Sequence, residues 1–299
     1  MRRVCLQIGL LLVWAGIASG APMTVPQIVF GGLKATLQGA NLDGSSPEVI
    51  VDDIGWIEGI AIDGENQTIY WSQIFNDRIT RLDLNSSTLD VIYSGSGGTN
   101  IRAVAVDPIH GYLFWAENGR GIVRSSLDGT NQLDLIPGVT DAFGIELDVA
   151  AGTIYWTETY AGAIRRAHLD GTNVENLITG LVEPFDIALD RVHRQIYWTD
   201  TSAGTVSRAA LDGIGVATII TGLAGPQGID FDATGGRIYW AAFGAGKLQS
   251  ANADGSNVTD LLAGLSEVRA VQLVPEPSTF ALLSLGLLWL ARRPTRRCS

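Results

Sequence analysis

A chain of 299 residues with 46% apolar and 17% charged side chains is long enough to bury a large core and too apolar to be disordered. Its net charge is −11 and its only lysines are Lys34 and Lys247, so a phosphate-binding surface of clustered bases is excluded and nucleic acid is not an expected partner. The 36 glycines point to short strands joined by tight turns.

The chain begins with a segment foreign to a fold. Arg2 and Arg3 precede an almost wholly apolar run over residues 4–17, and Ala18-Ser19-Gly20 puts small residues at the −3 and −1 positions. This reads as a secretory signal over residues 1–20, cut before Ala21. The alternative is a membrane anchor, against which the apolar run is shorter than the ~20 residues that a spanning helix needs.

From there to residue 274 one phrase recurs: Ile69-Tyr70-Trp71-Ser72, Leu113-Phe114-Trp115-Ala116-Glu117, Ile154-Tyr155-Trp156-Thr157-Glu158, Ile196-Tyr197-Trp198-Thr199-Asp200 and Ile238-Tyr239-Trp240-Ala241. The tryptophans are 44, 41, 42 and 42 residues apart. A period in the low forties with one aromatic strand per unit predicts propeller blades. In the unit around Trp198, residues 185–190 form a first strand, 195–199 the aromatic strand, 205–210 a third and 216–220 a fourth. Leu211-Asp212-Gly213 makes a turn before the fourth strand. That turn recurs at Asp43-Gly44, Asp128-Gly129, Asp170-Gly171 and Asp254-Gly255, and Leu84-Asn85 is its weakest copy. Matching first strands fall at 59–63, 103–107, 144–148 and 228–232, and the glycine-rich residues 93–100 read as a mobile loop.

The two ends of the repeat region complete each other. Residues 27–30 and 34–40 match the second and third strands of a unit with no first strand before them. Residues 269–273 match a first strand with no second strand after it. The predicted fold is therefore all-β: a six-bladed propeller of four-stranded antiparallel blades, closed when the C-terminal strand joins the N-terminal blade. Such closure leaves no free inner edge.

These units resemble the class B, or YWTD, repeats of the low-density-lipoprotein receptor family over about residues 27–274. The resemblance implies a six-bladed propeller used to bind proteins or to release a ligand. The cysteine-rich modules that flank such propellers in animal receptors are missing here, and Val29-Phe30-Gly31-Gly32 and Tyr239-Trp240-Ala241-Ala242 lack the acidic end of the motif. Tyr70, Trp71, Trp115, Tyr155, Trp156, Tyr197, Trp198, Tyr239 and Trp240 read as the structural core of the motif. Glu117, Glu158 and Asp200 read as acids tying neighbouring blades by hydrogen bonds. Asp63, Asp107, Asp148, Asp190 and Asp232, which end the first strands, read as turn formers.

His110, His168 and His193 all fall at turns, so a histidine-based catalytic set or zinc site is not expected, and no cofactor is called for. Candidate ligand-binding residues are those just ahead of the first strands, where six chain segments should ring one mouth of the channel: Trp56, Glu58, Asn100, Arg102, Asp141, Phe143, Glu183, Phe185, Gln227 and Arg269. Aromatic and charged side chains mixed on a rim suit a peptide or a glycan. The alternative function is a propeller enzyme of lactonase or lyase type, with a divalent metal held by Glu58, Asn100, Asp141 and Glu183. Arg102 and Arg269 beside them weigh against a cation, and a non-catalytic binding protein is the favoured reading.

The chain ends as oddly as it begins. Pro275-Glu276-Pro277 leads into an apolar run over 280–291 and then Arg292, Arg293, Arg296 and Arg297. This tripartite tail, residues 275–299, resembles the PEP-CTERM sorting signal of Gram-negative bacteria. The resemblance implies an exosortase-type membrane protease as partner, a transient inner-membrane stage, and release to the outer surface or an extracellular polysaccharide matrix. A plain tail anchor is the other reading. Cys5 and Cys298 both lie in the ends, so no disulfide is expected in the body.

Overall fold

The computed structural model describes residues 27–275; the expected signal and residues 276–299 of the expected tail lie outside them. The described residues build six four-stranded antiparallel sheets. Blades 2 to 6 are continuous in sequence, and their inner strands are Ile57–Asp63, Ile101–Asp107, Ala142–Asp148, Pro184–Asp190 and Pro226–Asp232. Blade 1 is assembled from both ends. Ile28–Gly32, Leu37–Ala40 and Glu48–Val51 supply three strands, and Val268–Leu273 supplies the inner one. Val29 stands opposite Gln272 and Phe30 opposite Val271, as the matching fragments at the two ends require.

The aromatic phrase works because alternate residues of a strand face opposite sides. Trp198 packs back onto Tyr155, Ile164 and Ile178 of blade 4. Tyr197 packs forward with Ile229 and Trp240 of blade 6, its ring stacked 5.2 Å from Phe231. Trp156 and Tyr155 repeat the arrangement one blade earlier. The five motif tryptophans are almost completely buried. Each aromatic buries on the order of 150–250 Å², or ~4–6 kcal/mol of gross burial at ~25 cal/mol per Å², so blade-to-blade cohesion rests largely on this one strand.

The hydroxyl of the phrase has a separate duty. Every continuous blade carries a register shift near the start of its inner strand, as between Ala142 and Ile145 or Pro184 and Ile187. The shift leaves an inner-strand N–H without a ladder partner. Thr157 Oγ1 accepts Gly144 N at 2.9 Å and donates to Phe185 O of the next blade at 2.8 Å. Thr199 Oγ1 likewise accepts Asp186 N at 3.2 Å and donates to Gln227 O at 2.5 Å. Ser72 repeats the pattern between Gly59 and Arg102. Replacing Thr157 with Val keeps the shape and orphans two buried backbone groups, so the protein should lose about 1–3 kcal/mol, read as a lower urea midpoint at unchanged slope. A variant as stable as the parent would show the bridge to be dispensable.

The Asp-Gly turns are inter-blade joints too. Gly213 has φ +83°, and a Cβ there would come within 2.5 Å of Leu177 O on the preceding blade. Asp212 accepts Ile214 N at 3.0 Å, and Asp170 and Asp254 cap their turns in the same way. The strand-ending aspartates also cap turns: Asp63 accepts Asn66 N, Asp148 accepts Ala151 N and Asp190 accepts His193 N.

Two local expectations change. Inner strands begin earlier than the apolar run suggests, at Ile57 rather than residue 59 and at Ile101 rather than 103, because the register shift admits extra residues. Within 93–100, Tyr93 and Ser94 belong to the strand Thr88–Ser94, and buried Asp77 holds the two ends of the remainder, its carbonyl accepting Gly95 N at 2.7 Å and its carboxylate accepting Thr99 N at 3.2 Å and Asn100 N at 2.7 Å.

Candidate functional site

The ten candidate residues fall into two groups. Glu58, Arg102, Phe143, Phe185, Gln227 and Arg269 are each the second residue of an inner strand, one per blade, and form a ring at one end of the channel. Trp56, Asn100, Asp141 and Glu183 precede the strands and lie on loops outside that ring.

Glu58 is the centre of the ring's electrostatics. Its Oε1 lies 3.0 Å from Arg269 Nη2 and 3.5 Å from Arg102 Nη1. Burial pushes its carboxyl pKa up, and the two guanidinium groups oppose that rise. Burial likewise pushes Arg102 down. Both cations lean on aromatic faces: Arg102 sits 3.9 Å from the Phe143 ring centroid, and Arg269 sits 5.4 Å from that of Phe185 and 5.7 Å from that of Phe243. Glu58 Oε2, Arg102 Nε, Arg269 Nε and Gln227 Oε1 are buried without a hydrogen-bond partner among the described residues. That is a concentration of unmet polar demand in one ring.

Around the ring the surface is aromatic. Trp56 is 42% exposed and meets Phe75, 67% exposed, edge to face at 4.5 Å. Tyr160, 76% exposed, meets Phe143 edge to face at 6.0 Å.

The other loop candidates hold turns. Asn100 takes φ +49° with its N–H on Asp77, Asp141 Oδ2 accepts Tyr160 N and Ala161 N at 2.7 and 3.1 Å, and Glu183 accepts the Ser202 hydroxyl. Glu58, Asn100, Asp141 and Glu183 are thus committed separately, and the structure does not bring them onto one cation. No group of three or more potential metal ligands occurs among the described residues.

The motif acids diverge from their common expectation. Glu117 accepts Trp115 Nε1 at 3.0 Å and Tyr93 Oη of the preceding blade at 2.9 Å, so it does tie blades. Glu158 accepts Trp156 Nε1 at 3.1 Å and pairs with Arg165 of its own blade at 3.3 Å. Asp200, one methylene shorter, accepts Val182 N and Glu183 N of the segment entering its own blade. Trp71 and Trp240, whose blades have Gln73 and Ala242 in the acid's place, keep an unpartnered indole N–H among the described residues. His110 and His193 each lie 2.7 Å from the aspartate of their turn.

Beneath the ring, Ile60, Val104, Ile145, Ile187, Ile229 and Val271, with Glu58, Phe143 and Phe185 of the ring itself, line a cavity of about 30 Å³, a space on the scale of a water molecule. Two carboxylates of this lining, Asp186 and Glu146, and a third close enough to repel them, Asp230, are absent from the candidate set. Asp186 Oδ2 accepts Ile229 N of blade 6 at 3.0 Å. Asp230 Oδ2 accepts Gln272 Nε2 at 2.6 Å and Leu273 N at 2.7 Å on the closing strand. Glu146 pairs with Arg191 of blade 5 at 2.8 Å. Desolvation first, then mutual repulsion, pushes Asp186 up to about 8 and Asp230 to about 7, and burial raises Glu146 against the pull of Arg191. The available signal was an acid inside a strand whose counterparts in other blades are small and apolar: Asp186 stands where Gly59, Ala103, Gly144, Gly228 and Ala270 stand.

Comparison with known proteins fits this geometry. Residues 273–297 match the family model described as PEP-CTERM protein-sorting motif. The chain is 33% identical over 122 residues to human low-density lipoprotein receptor-related protein 5-like protein, covering 39% of this chain. It is 30% identical over 75 residues to mouse low-density lipoprotein receptor-related protein 5, covering 25%. The chain spans about half the length of the first relative and 5% of the second. Among solved structures, the nidogen/laminin complex contains a chain that superposes with a TM-score of 0.75 at 19% identity, over 83% of this chain and 98% of that one. Ring closure makes this chain a six-bladed propeller, its repeats are similar to those of low-density lipoprotein receptor-related proteins, and a PEP-CTERM protein-sorting motif stands at its C-terminal end.

Proposed function

We infer that this protein is a secreted, non-catalytic binding module that takes a segment of an extracellular protein or polysaccharide at the channel mouth. One observation carries the reading: the unpartnered buried atoms of Glu58, Arg102, Gln227 and Arg269 sit beneath exposed aromatic rims. A ligand that supplies hydroxyl, amide or carboxylate groups meets the polar ring, while Trp56, Phe75 and Tyr160 cover its apolar faces. Residues 1–20 act as the secretory signal. The PEP-CTERM motif implies exosortase-type sorting machinery and export in a Gram-negative bacterium. Cutting near Pro275-Glu276-Pro277, after a passage through the inner membrane, then delivers the propeller to the cell surface or matrix.

The test uses exposed residues, whose replacement spares the core. Trp56→Ala with Phe75→Ala should sharply reduce retention of the propeller on extracellular polysaccharide and on secreted proteins from the producing organism. Val91→Ser, on an outer strand, should not. Retention of the double variant equal to that of the parent would remove the mouth from consideration.

A further inference from the structure

Blade 1 departs from the other blades at one place, and the departure leaves a cavity. Where they carry Trp in the second strand, blade 1 carries Phe30, and where Glu117 follows two residues later, blade 1 has Gly32. In the seam between blades 2 and 3, that space is filled by the Trp115 indole, the Glu117 carboxylate under it, and the Arg120 guanidinium 3.3 Å from the carboxylate. In the seam between blades 6 and 1, the corresponding space is a cavity of about 230 Å³. Phe30, Leu265 and Val268 give it an apolar side, and Lys34, Thr36 and Ser266 a polar one. Lys34 is exposed and has no ion-pair partner among the described residues, although it occupies the turn that carries Arg120 in blade 3. Gly32, on the same side of the strand as Phe30, leaves no room for a side chain to fill the gap, because a Cβ there would collide with the Glu267 carbonyl.

We propose that this seam is a second binding site, separate from the channel mouth, for a small aromatic carboxylate. The cavity lacks the far ring of an indole and a carboxylate, and keeps a cation and a bed of apolar side chains. A cavity of about 150 Å³ holds a benzene-sized molecule, so this one accommodates one ring with a short acid arm. The ring lies against Phe30 and Val268 in place of the missing indole. The carboxylate takes the position of the missing glutamate, with the Lys34 ammonium and the Thr36 and Ser266 hydroxyls as donors.

Phenylacetate is the probe, with acetate and phenylacetamide as partial mimics, titrated by ligand-observed NMR and calorimetry against the propeller. Saturable binding of phenylacetate, several-fold weaker for phenylacetamide and undetectable for acetate, is expected. Lys34→Ala should weaken phenylacetate several-fold. Phe30→Trp, which restores the ring the other blades carry, should abolish binding while the melting temperature holds or rises. Should Phe30→Trp misfold, Ser266→Phe on the rim decides instead, with loss of binding expected. No saturable binding to the parent, or binding undiminished in the folded blocking variant, overturns the proposal. The Trp56/Phe75 double variant should bind phenylacetate normally, which keeps this site's failure distinct from that of the mouth.

Discussion

Ending the chain at Gly264 is expected to leave the ring open and the protein unable to melt cooperatively. The missing strand, Val268–Leu273, buries Val268, Val271 and Leu273 almost fully. At roughly 1.5–3 kcal/mol each, these three side chains amount to ~5–9 kcal/mol, comparable to the ~5–15 kcal/mol that holds a typical domain folded. The loss does not stop at apolar area. Ile28–Gly32 loses its antiparallel partner and becomes an exposed inner edge. Glu58 loses Arg269, and Asp230 loses two donors. Because each blade covers its neighbours, the defect spreads to blades 2 and 6. Urea titration followed by tryptophan fluorescence, with size-exclusion chromatography, reads the result: a shallow transition and oligomers for the truncated chain against one sharp transition for the parent. A truncated monomer with the parent's midpoint would refute the account of closure.

The second large effect is a dependence of stability on pH that runs opposite to that of most acidic proteins. Asp186 holds its proton up to about 8 when folded, against 3.8 for the ordinary carboxyl, and Asp230 to about 7. Below about pH 3 both are neutral whether folded or not. Between there and pH 8 the unfolded chain releases protons that the folded chain keeps, so stability falls as pH rises. Among the described residues, the cation that opposes the cluster is Arg191, engaged by Glu146. Exposed Asp43, Asp128, Asp170 and Asp254, held below the usual range by turn hydroxyls, act in the other direction at low pH, and being fully exposed they act weakly. From pH 5.5 to 8.5 the parent should therefore lose about 2–4 kcal/mol, read from urea midpoints. Asp186→Asn puts a group that cannot ionise where the buried carboxyl sits, and should flatten that slope. A parent with the same midpoint at both values, or an Asn variant as steep as the parent, would contradict the burial and repulsion assigned to this cluster.

Legibility differed between these two predictions. The closing strand was readable because fragments around Val29 and Val271 each match part of a unit that five complete copies spell out between them, and a repeat exposes its own omissions. The mouth was readable to the level of position: the period placed one residue per blade at the axis, and Glu58, Arg102, Phe143, Phe185, Gln227 and Arg269 do share a ring. What the period could not do was separate them from Asn100, Asp141 and Glu183 one or two residues earlier, because the register shift that moves the strand start depends on backbone pairing. Asp186 and Asp230 were missed for a related reason. Beside the strand-ending aspartates of every unit they look like more of the same, yet their side chains accept from the neighbouring inner strand, Asp186 from Ile229 N and Asp230 from Leu273 N, and not from a turn. The cavity beside Phe30 was hidden because a Phe in a Trp column reads as conservative, while its volume depends on Gly32 being barred from filling it.

The closing strand also fixes an orientation. The inner strands begin at the mouth, so Val268 lies at that face and Leu273 at the opposite one, where Val274 N bonds Gln27 O at 2.9 Å. Both ends of the propeller thus depart side by side from the face remote from the aromatic rim. Anything joined to the propeller through either end therefore meets it on the side away from Trp56, Phe75 and Tyr160.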